Sequence, residues 1–351
     1  MNRSTSVGDV LARAREAIGP AMAAAIDRLP PEIRKLATYH LGWTDALGRP
    51  VGAPGGKGIR PALALLSAEA AWAPTSVGVP GGIAVELVHN YSLIHDDIID
   101  GDTERHHRPT IWSMWGVGPA IIAGDALETL AHQVLLEPSA ATGAAAAAAL
   151  SAATAEMIAG QADDLAFETR RNVSVEECTA MSAAKTGALL GCAASIGAIL
   201  AGAPQATVGA LRDFGRHVGL AFQAVDDLLG IWGDPARTGK PAGADLRQRK
   251  KSMPVTSALA AGGDEAEELR ALLIGPAAVG EAPPEPLPPL DSAAVDRAAY
   301  LVEACGGREW TAVRAKSHLD SALGALERVR LSAVTHRELA DIAAFVVERT
   351  T

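Results

Sequence analysis

Residues 83–100 read IAVELVHNYSLIHDDIID, and this stretch decides the fold. Its apolar residues recur at helical spacing over a length too great for a strand, so the segment is expected to be one helix. At 100° per residue, Asp96 and Asp100 share a face one turn apart, with Asp97 beside them. Three carboxylates are therefore expected to converge at a helix C-terminus, a place where the macrodipole disfavours each anion by roughly 0.3–1 kcal/mol. Leu93, Ile94, Ile98 and Ile99 fasten the segment to a core, so a compensating cation explains the cluster better than a solvated helix end.

The same periodicity extends in both directions. Val10, Leu11, Ala14, Ile18, Met22 and Ile26 lie along one face of an amphipathic helix over 8–28, and further helical runs are read at 61–73, 120–136, 144–158, 180–200 and 211–229. No alternating strand and no convincing two-residue hairpin interrupts them. Breakers fall between the runs, in GRPVGAPGGKG (48–58), at Pro138 and Gly143, and in the basic stretch 233–254. The proline-rich stretch 275–291 reads as a mobile surface linker, and helices resume over 292–349 around a break at Gly306-Gly307. The architecture is an all-α helical bundle.

Composition narrows what such a bundle does. Across 351 residues, 31 Lys and Arg stand against 41 Asp and Glu, a formal charge of -10, and no basic block appears, which argues against a nucleic-acid partner. Cys178, Cys192 and Cys305 are far apart and odd in number, so neither a disulfide framework nor a cysteine zinc site is indicated and a reducing cytoplasm fits. Asp9 and Glu16 interrupt the N-terminal apolar pattern, and no secretory signal is seen. The uncharged run 186–211 is long enough to cross a bilayer, yet its glycines, alanines and Pro204 give weak hydropathy without basic flanks. It reads as a buried central helix rather than a membrane span.

A second aspartate pair, Asp226-Asp227, ends another apolar helix in LAFQAVDDLLGIWGD. Two facing carboxylate clusters would offer the hard oxygen ligands that magnesium takes together with phosphate oxygens and water. Cations accompany them in or beside the breaker loops or at the start of a helix: Lys57, Arg60, Arg105, Arg108, Lys185, Lys240, Lys250 and Lys251. Carboxylates for a metal and basic groups for anions, on one apolar scaffold, describe a phosphate-ester site. The nucleotide P-loop pattern fails, because Gly58 follows Lys57 and Pro241 follows Lys240 where Ser or Thr should stand. A histidine-ligated phosphohydrolase using His95 with His89, His106 or His107 would need convergence that the spacing does not impose.

These motifs, GGKGIRP (55–61), VELVHNYSLIHDDIIDGDTERHHRPT (85–110), AGDAL (123–127), GQADDLAFE (160–168), KTGALL (185–190), FQAVDDLLGIWGD (222–234) and GKPAGADLRQRKKSMP (239–254), resemble in content and order the polyprenyl synthetase family of trans-isoprenyl diphosphate synthases. The resemblance implies one isoprenoid-synthase domain over 1–351 with a deep central cavity, usually as a homodimer. It implies condensation of isopentenyl diphosphate with an allylic diphosphate to a short all-trans product and release of diphosphate. Three magnesium ions would be held by Asp96, Asp97, Asp100, Asp226 and Asp227, the allylic diphosphate by Arg105, Lys185 and Lys240, and isopentenyl diphosphate by Lys57, Arg60 and His89. Thr186 and Gln223 would face the allylic cation with their oxygen dipoles.

Two departures from the family pattern stand out. His106 follows Arg105 where a second arginine is usual, with Arg108 or His107 as possible replacements, and Gly230 replaces the last carboxylate of the second motif. Tyr91 lies five residues before Asp96, about 7.5 Å along a helix. With the small Ser92 beside it, the resemblance implies a chain-length floor and a C15 or C20 product. The competing readings are a class I terpene cyclase, against which the presence of Lys57, Arg60 and His89 argues, and a non-catalytic partner subunit, against which the five motif aspartates argue. Trp112, Trp115 and Trp232 read as packing anchors, and Asp163, Asp164 and Glu168 face either the cavity or solvent.

Overall fold

A computed structural model describes residues 6–51, 56, 58–137, 140–235, 241–275 and 287–348. Lys57, Lys240 and most of the proline-rich linker lie outside the described residues, and so does most of GAPGGKG. The chain divides into two compact units, each assembled from separated stretches. The first comprises 1–154, 189–215 and 325–342; the second comprises 155–188, 216–324 and 343–351.

In the first unit, α1 (Val7–Ile26) starts at Ser6, whose side chain accepts from the Asp9 amide while the Asp9 carboxylate returns a bond to the Ser6 amide. The expected face Val10, Leu11, Ala14, Ile18, Met22 and Ile26 is buried throughout. Then follow α2 (Pro31–His40), absent from the sequence reading, α3 (Ile59–Ala70), α4 (Val79–Ile99), α5 (Ile111–Trp115) and α6 (Val117–Leu136). Helix α4 carries Val85, Leu87, Val88 and Ile94 into the core and packs most extensively on α6, where a Cβ at Gly124 would come within 2.4 Å of the His95 ring. Helix α9 (Ala188–Leu200) meets α3 at backbone distance, and the Gly197 amide donates to Ser67 Oγ at 2.9 Å.

The connection after α4 corrects one expectation. It contains a two-residue hairpin, β1 (Glu104–Arg105) against β2 (Arg108–Pro109), turning through His106 and His107 at φ 51° and 59°. Histidine tolerates the left-handed region without announcing it, so no glycine marked the turn. Trp112 anchors the far side by donating to the Asp102 carbonyl at 2.7 Å.

The second unit holds the C-terminal half of α7 (Ala140–Thr169), then α8 (Val175–Ser182), the body of α10 (Gln205–Trp232), α11 (Ala244–Arg247), α12 (Met253–Ala260), α13 (Asp264–Ile274), α14 (Ser292–Ala304) and most of α15 (Gly307–Leu326). Helix α16 (Ala333–Val347) follows a short turn. One buried cluster joins Ile231, Leu246, Val255, Leu269 and Leu301; another joins Cys178, Ala224, Val225, Met253 and Ala315. Between α8 and α9 the chain makes a π-helical turn, Ala183–Gly187, in place of the regular helix expected there. Two helices, Ala141–Thr169 and Val175–Leu200, are long and apolar enough to cross a membrane, but 72% of the second one's apolar window is packed inside protein. That burial matches the reading of a central helix.

Candidate active site

The first site lies at the end of α4. Asp97 is 2% exposed and its Oδ1 accepts from Arg105 Nε at 2.7 Å, while Asp96 is half-buried and Asp100 exposed. The three carboxylates expected to converge are thus divided, Asp97 being turned inward to fix the guanidinium. Among the described residues no three His, Cys, Asp or Glu groups form a ready metal cage. That donor set still fits magnesium, which takes one or two carboxylates and completes its shell with water and phosphate oxygens. Burial pushes the Asp97 carboxyl above the usual range, and Arg105 opposes the shift.

Beneath it a cavity of about 670 Å³ opens within the first unit, lined among others by Arg15, His40, Gly58, Glu86, His89, Asn90, Asp97, Arg105 and His106. Gly58, at φ 75°, caps α3, and a side chain there would collide with Arg15 Cγ at 2.9 Å. Arg60 is the second residue of the same helix, with its Nε buried and without a hydrogen-bond partner. An orphaned guanidinium donor of this kind is a place for an anion. Burial lowers the Arg60 pKa and raises that of Glu86, which faces it as the nearest opposite charge. His40 lies outside every motif; Glu86 and Asn90 lie inside the 85–110 stretch, but only the fold sets them against Arg60 and His40.

Arg108, offered as a replacement for the second arginine, lines the cavity and is held there by backbone carbonyls. It donates to the carbonyls of Tyr39 at 2.9 Å and Thr44 at 2.7 Å, and stacks on the Tyr39 ring. His107 is spent elsewhere, 85% exposed beside Glu104. His106 and His40 line the cavity together with Arg108, whereas His107 does not.

Burial, reinforced by Arg105, depresses the His40 pKa to about 3, and burial beside His217 depresses that of His318 to about 4. Both imidazoles fold neutral. Their contribution to stability is complete above the ordinary value of 6.5 and is lost as pH falls through their folded values. Thermal melts of metal-free protein should therefore show Tm falling from pH 7 to pH 4.5, and His40→Gln with His318→Gln should flatten the slope. An equally steep slope in the double variant would exclude these two groups as its source.

The second site is built in the second unit on the π turn. Lys185 Nζ pairs with Asp164 Oδ2 at 2.6 Å, which puts Asp164 toward this site. Thr186 Oγ1 donates to Gln223 Oε1 at 2.8 Å, Gln223 Nε2 donates to Asp227 Oδ1 at 2.8 Å, and the Met253 amide donates to Asp227 Oδ2 at 2.9 Å. One line of hydrogen bonds thus ties KTG to the second aspartate pair. Asp227 is 6% exposed, and burial pushes its carboxyl up to about 7 against the two donors. The π turn exists because its neighbours have no side chains at the contact: a Cβ at Gly160 would lie 2.4 Å from the Lys185 amide nitrogen, and one at Gly219 2.7 Å from Gly187 Cα.

Tyr91 stands edge-on to His95 with ring centroids 4.8 Å apart, and the carboxylates of Glu128 and Asp125 act on it from α6. Ser92 turns back to donate to the His89 carbonyl. Cys178 and Cys192 are buried, with thiols pushed up to about 12.

Comparison with known proteins agrees with this geometry. The chain is 47% identical over 340 residues to the (2E,6E)-farnesyl diphosphate synthase of Mycobacterium tuberculosis, covering 97% of this chain and 92% of that protein. Its fold superposes on a polyprenyl synthetase from Streptomyces coelicolor with a TM-score of 0.89 at 48% identity, over 97% and 100% of the two chains. A geranylgeranyl pyrophosphate synthase from Corynebacterium glutamicum, solved with isoprenyl diphosphate and magnesium, matches with a TM-score of 0.76 at 27% identity, over 98% and 97%. The polyprenyl synthetase family model covers residues 43–281, so with two aspartate-bearing helix ends, an anion cavity and a KTG turn on an all-α isoprenoid-synthase fold, the chain belongs to the polyprenyl synthetase family.

Proposed function

We propose that the chain is a magnesium-dependent trans-prenyltransferase that joins isopentenyl diphosphate to an allylic diphosphate and makes a C15 to C20 product. The observation that carries this reading is the hydrogen-bonded line from Thr186 through Gln223 to Asp227, with Lys185 on the same turn. Oxygen dipoles from the π turn and α10 thus lie at a turn that also carries an ammonium group, which supports departure of an anion from an allylic carbon.

Asp96, Asp100 and Asp226 are assigned as direct ligands for three ions, and Asp97 and Asp227 as the buried carboxylates that orient their surroundings. When bound, magnesium neutralises the diphosphate oxygens as charge develops on them. Arg105, oriented by Asp97, and Lys185, oriented by Asp164, hold the allylic diphosphate, with Lys240 assigned from the resemblance. The C–O bond breaks, the π electrons of isopentenyl diphosphate form the new C–C bond, and a proton leaves the resulting cation. Thr186 and Gln223 offer oxygen atoms and no thiolate that would trap it. Arg60, His89 and Lys57 hold the second diphosphate, with His40 and His106 adding donors to the cavity.

The exposed apolar side chains Met114, Val117, Ile121 and Ile122 along α5 and α6 support a homodimer, and three free cysteines support a cytoplasmic site of action. Incubation with labelled isopentenyl diphosphate, each allylic primer and magnesium tests the assignment. Chain-extended product is expected; a hydrocarbon would favour a terpene cyclase, and inactivity without a partner a modulating subunit. Tyr91→Ala should move the product distribution to longer chains by at least one five-carbon unit, read by chromatography of the dephosphorylated alcohols. An unchanged distribution removes Tyr91 as the floor.

A further inference from the structure

The second aspartate motif ends in glycine, yet the space that a side chain at 230 would enter is already filled. An ideal Cβ on Gly230 would lie 2.0 Å from Asp245 Oδ2 and 2.6 Å from Asp245 Cγ. Asp245 comes from α11, one element downstream, and its carboxylate is therefore laid against the last turn of α10. Gly230 stands four residues after Asp226 on the same helical face. The Asp245 carboxylate thus occupies the position a turn beyond Asp226 where the motif's missing acid would put its own.

Two features hold it there. Gly243, at φ 71°, begins α11 in the left-handed conformation, and its amide donates to the Ile231 carbonyl at 3.1 Å, tying the start of α11 to the end of α10. Downstream, the Lys250 amide donates to the Asp245 carbonyl at 2.9 Å. The field of Asp245 also reaches the aspartate pair, since it raises the Asp227 pKa alongside Asp226. A related enzyme was solved with magnesium and isoprenyl diphosphate.

We propose that Asp245 supplies the third carboxylate of the second aspartate cluster, and that the bare α-carbon of Gly230 is what admits it. This inference rests on the reading of that cluster as a magnesium site. A consequence separates it from a passive acidic neighbour: a single methyl at 230 should act like loss of the Asp245 charge. Alanine is the better helix former, so a defect in Gly230→Ala has no source in helix propensity.

The test is Mn2+ binding to the metal-free full chain in the presence of inorganic diphosphate, followed by electron paramagnetic resonance, with thermal melts confirming a folded chain. Gly230→Ala and Asp245→Asn should each weaken the ions bound at this cluster about tenfold. The double variant should be no weaker than either single one, because both remove the same carboxylate. Gly230→Asp combined with Asp245→Ala should recover the affinity. Additive losses, or wild-type affinity in Asp245→Asn or in Gly230→Ala, would overturn the proposal. Asp226→Asn serves as the control: loss there without loss in Asp245→Asn rejects Asp245 alone, whereas no loss in any variant rejects the magnesium site with it.

Discussion

Gly160→Ala should cost both stability and rate. Its Cβ would stand 2.4 Å from the Lys185 amide nitrogen, 2.9 Å from Lys185 Cα and 3.0 Å from the Ala184 carbonyl carbon. All three are backbone atoms, so no side chain can rotate away and α7 must separate from the π turn. Overpacking of this kind costs about 1–3 kcal/mol of stability. The kinetic effect is larger. Lys185 and Thr186 ride on the displaced turn, and a shift of about 1 Å at a positioning group costs roughly 100-fold in rate. The expected result is a folded protein with a Tm lowered by several degrees, kcat reduced about 100-fold and nearly unchanged affinity for isopentenyl diphosphate. Retention of wild-type kcat would show that the π turn does not position the reacting groups.

Arg60→Met should fail in the opposite way. Arg60 faces Glu86 beside the first unit's cavity, with both shifted by burial toward their neutral forms. Removing the cation takes away the opposite charge that acts on Glu86, and stability should fall. It also removes the orphaned Nε that awaits an anion. KM for isopentenyl diphosphate should rise about 100-fold, as expected for loss of a charge-assisted contact of roughly 2–3 kcal/mol, with little change in the allylic KM. Arg60→Met combined with Glu86→Gln separates the two effects: stability should return toward wild type while the raised KM persists. Recovery of KM in the double variant would assign Arg60 to folding and remove it from substrate binding.

The two variants act in different units and through different physics. One is steric and kinetic, the other electrostatic and confined to a substrate. Together they divide the reaction into a step that depends on where a lysine stands and a binding event that depends on an unpaired donor.

Much of this was legible in the chain itself. The 3.6-residue period of α1, α4 and α10 exposed the bundle, because each helix has to bury a continuous apolar stripe. The aspartates and the KTG lysine were legible because anions at helix C-termini and cations in breaker loops have no use in a packed core. What stayed hidden was set by contacts between distant segments. The inward turn of Asp97 depends on Arg105 arriving through a hairpin whose turn residues are histidines. Placement of Arg108 depends on the carbonyls of Tyr39 and Thr44, some sixty residues earlier. The π turn depends on glycines in α7 and α10, and the place of Asp245 on an atom that Gly230 lacks. Periodicity and charge are properties of neighbours along the chain and survive in a one-dimensional reading. Close approach and hydrogen-bond allegiance belong to pairs that only folding brings together, so tertiary structure alone decided which charges are held, which are buried and which stand open to a substrate.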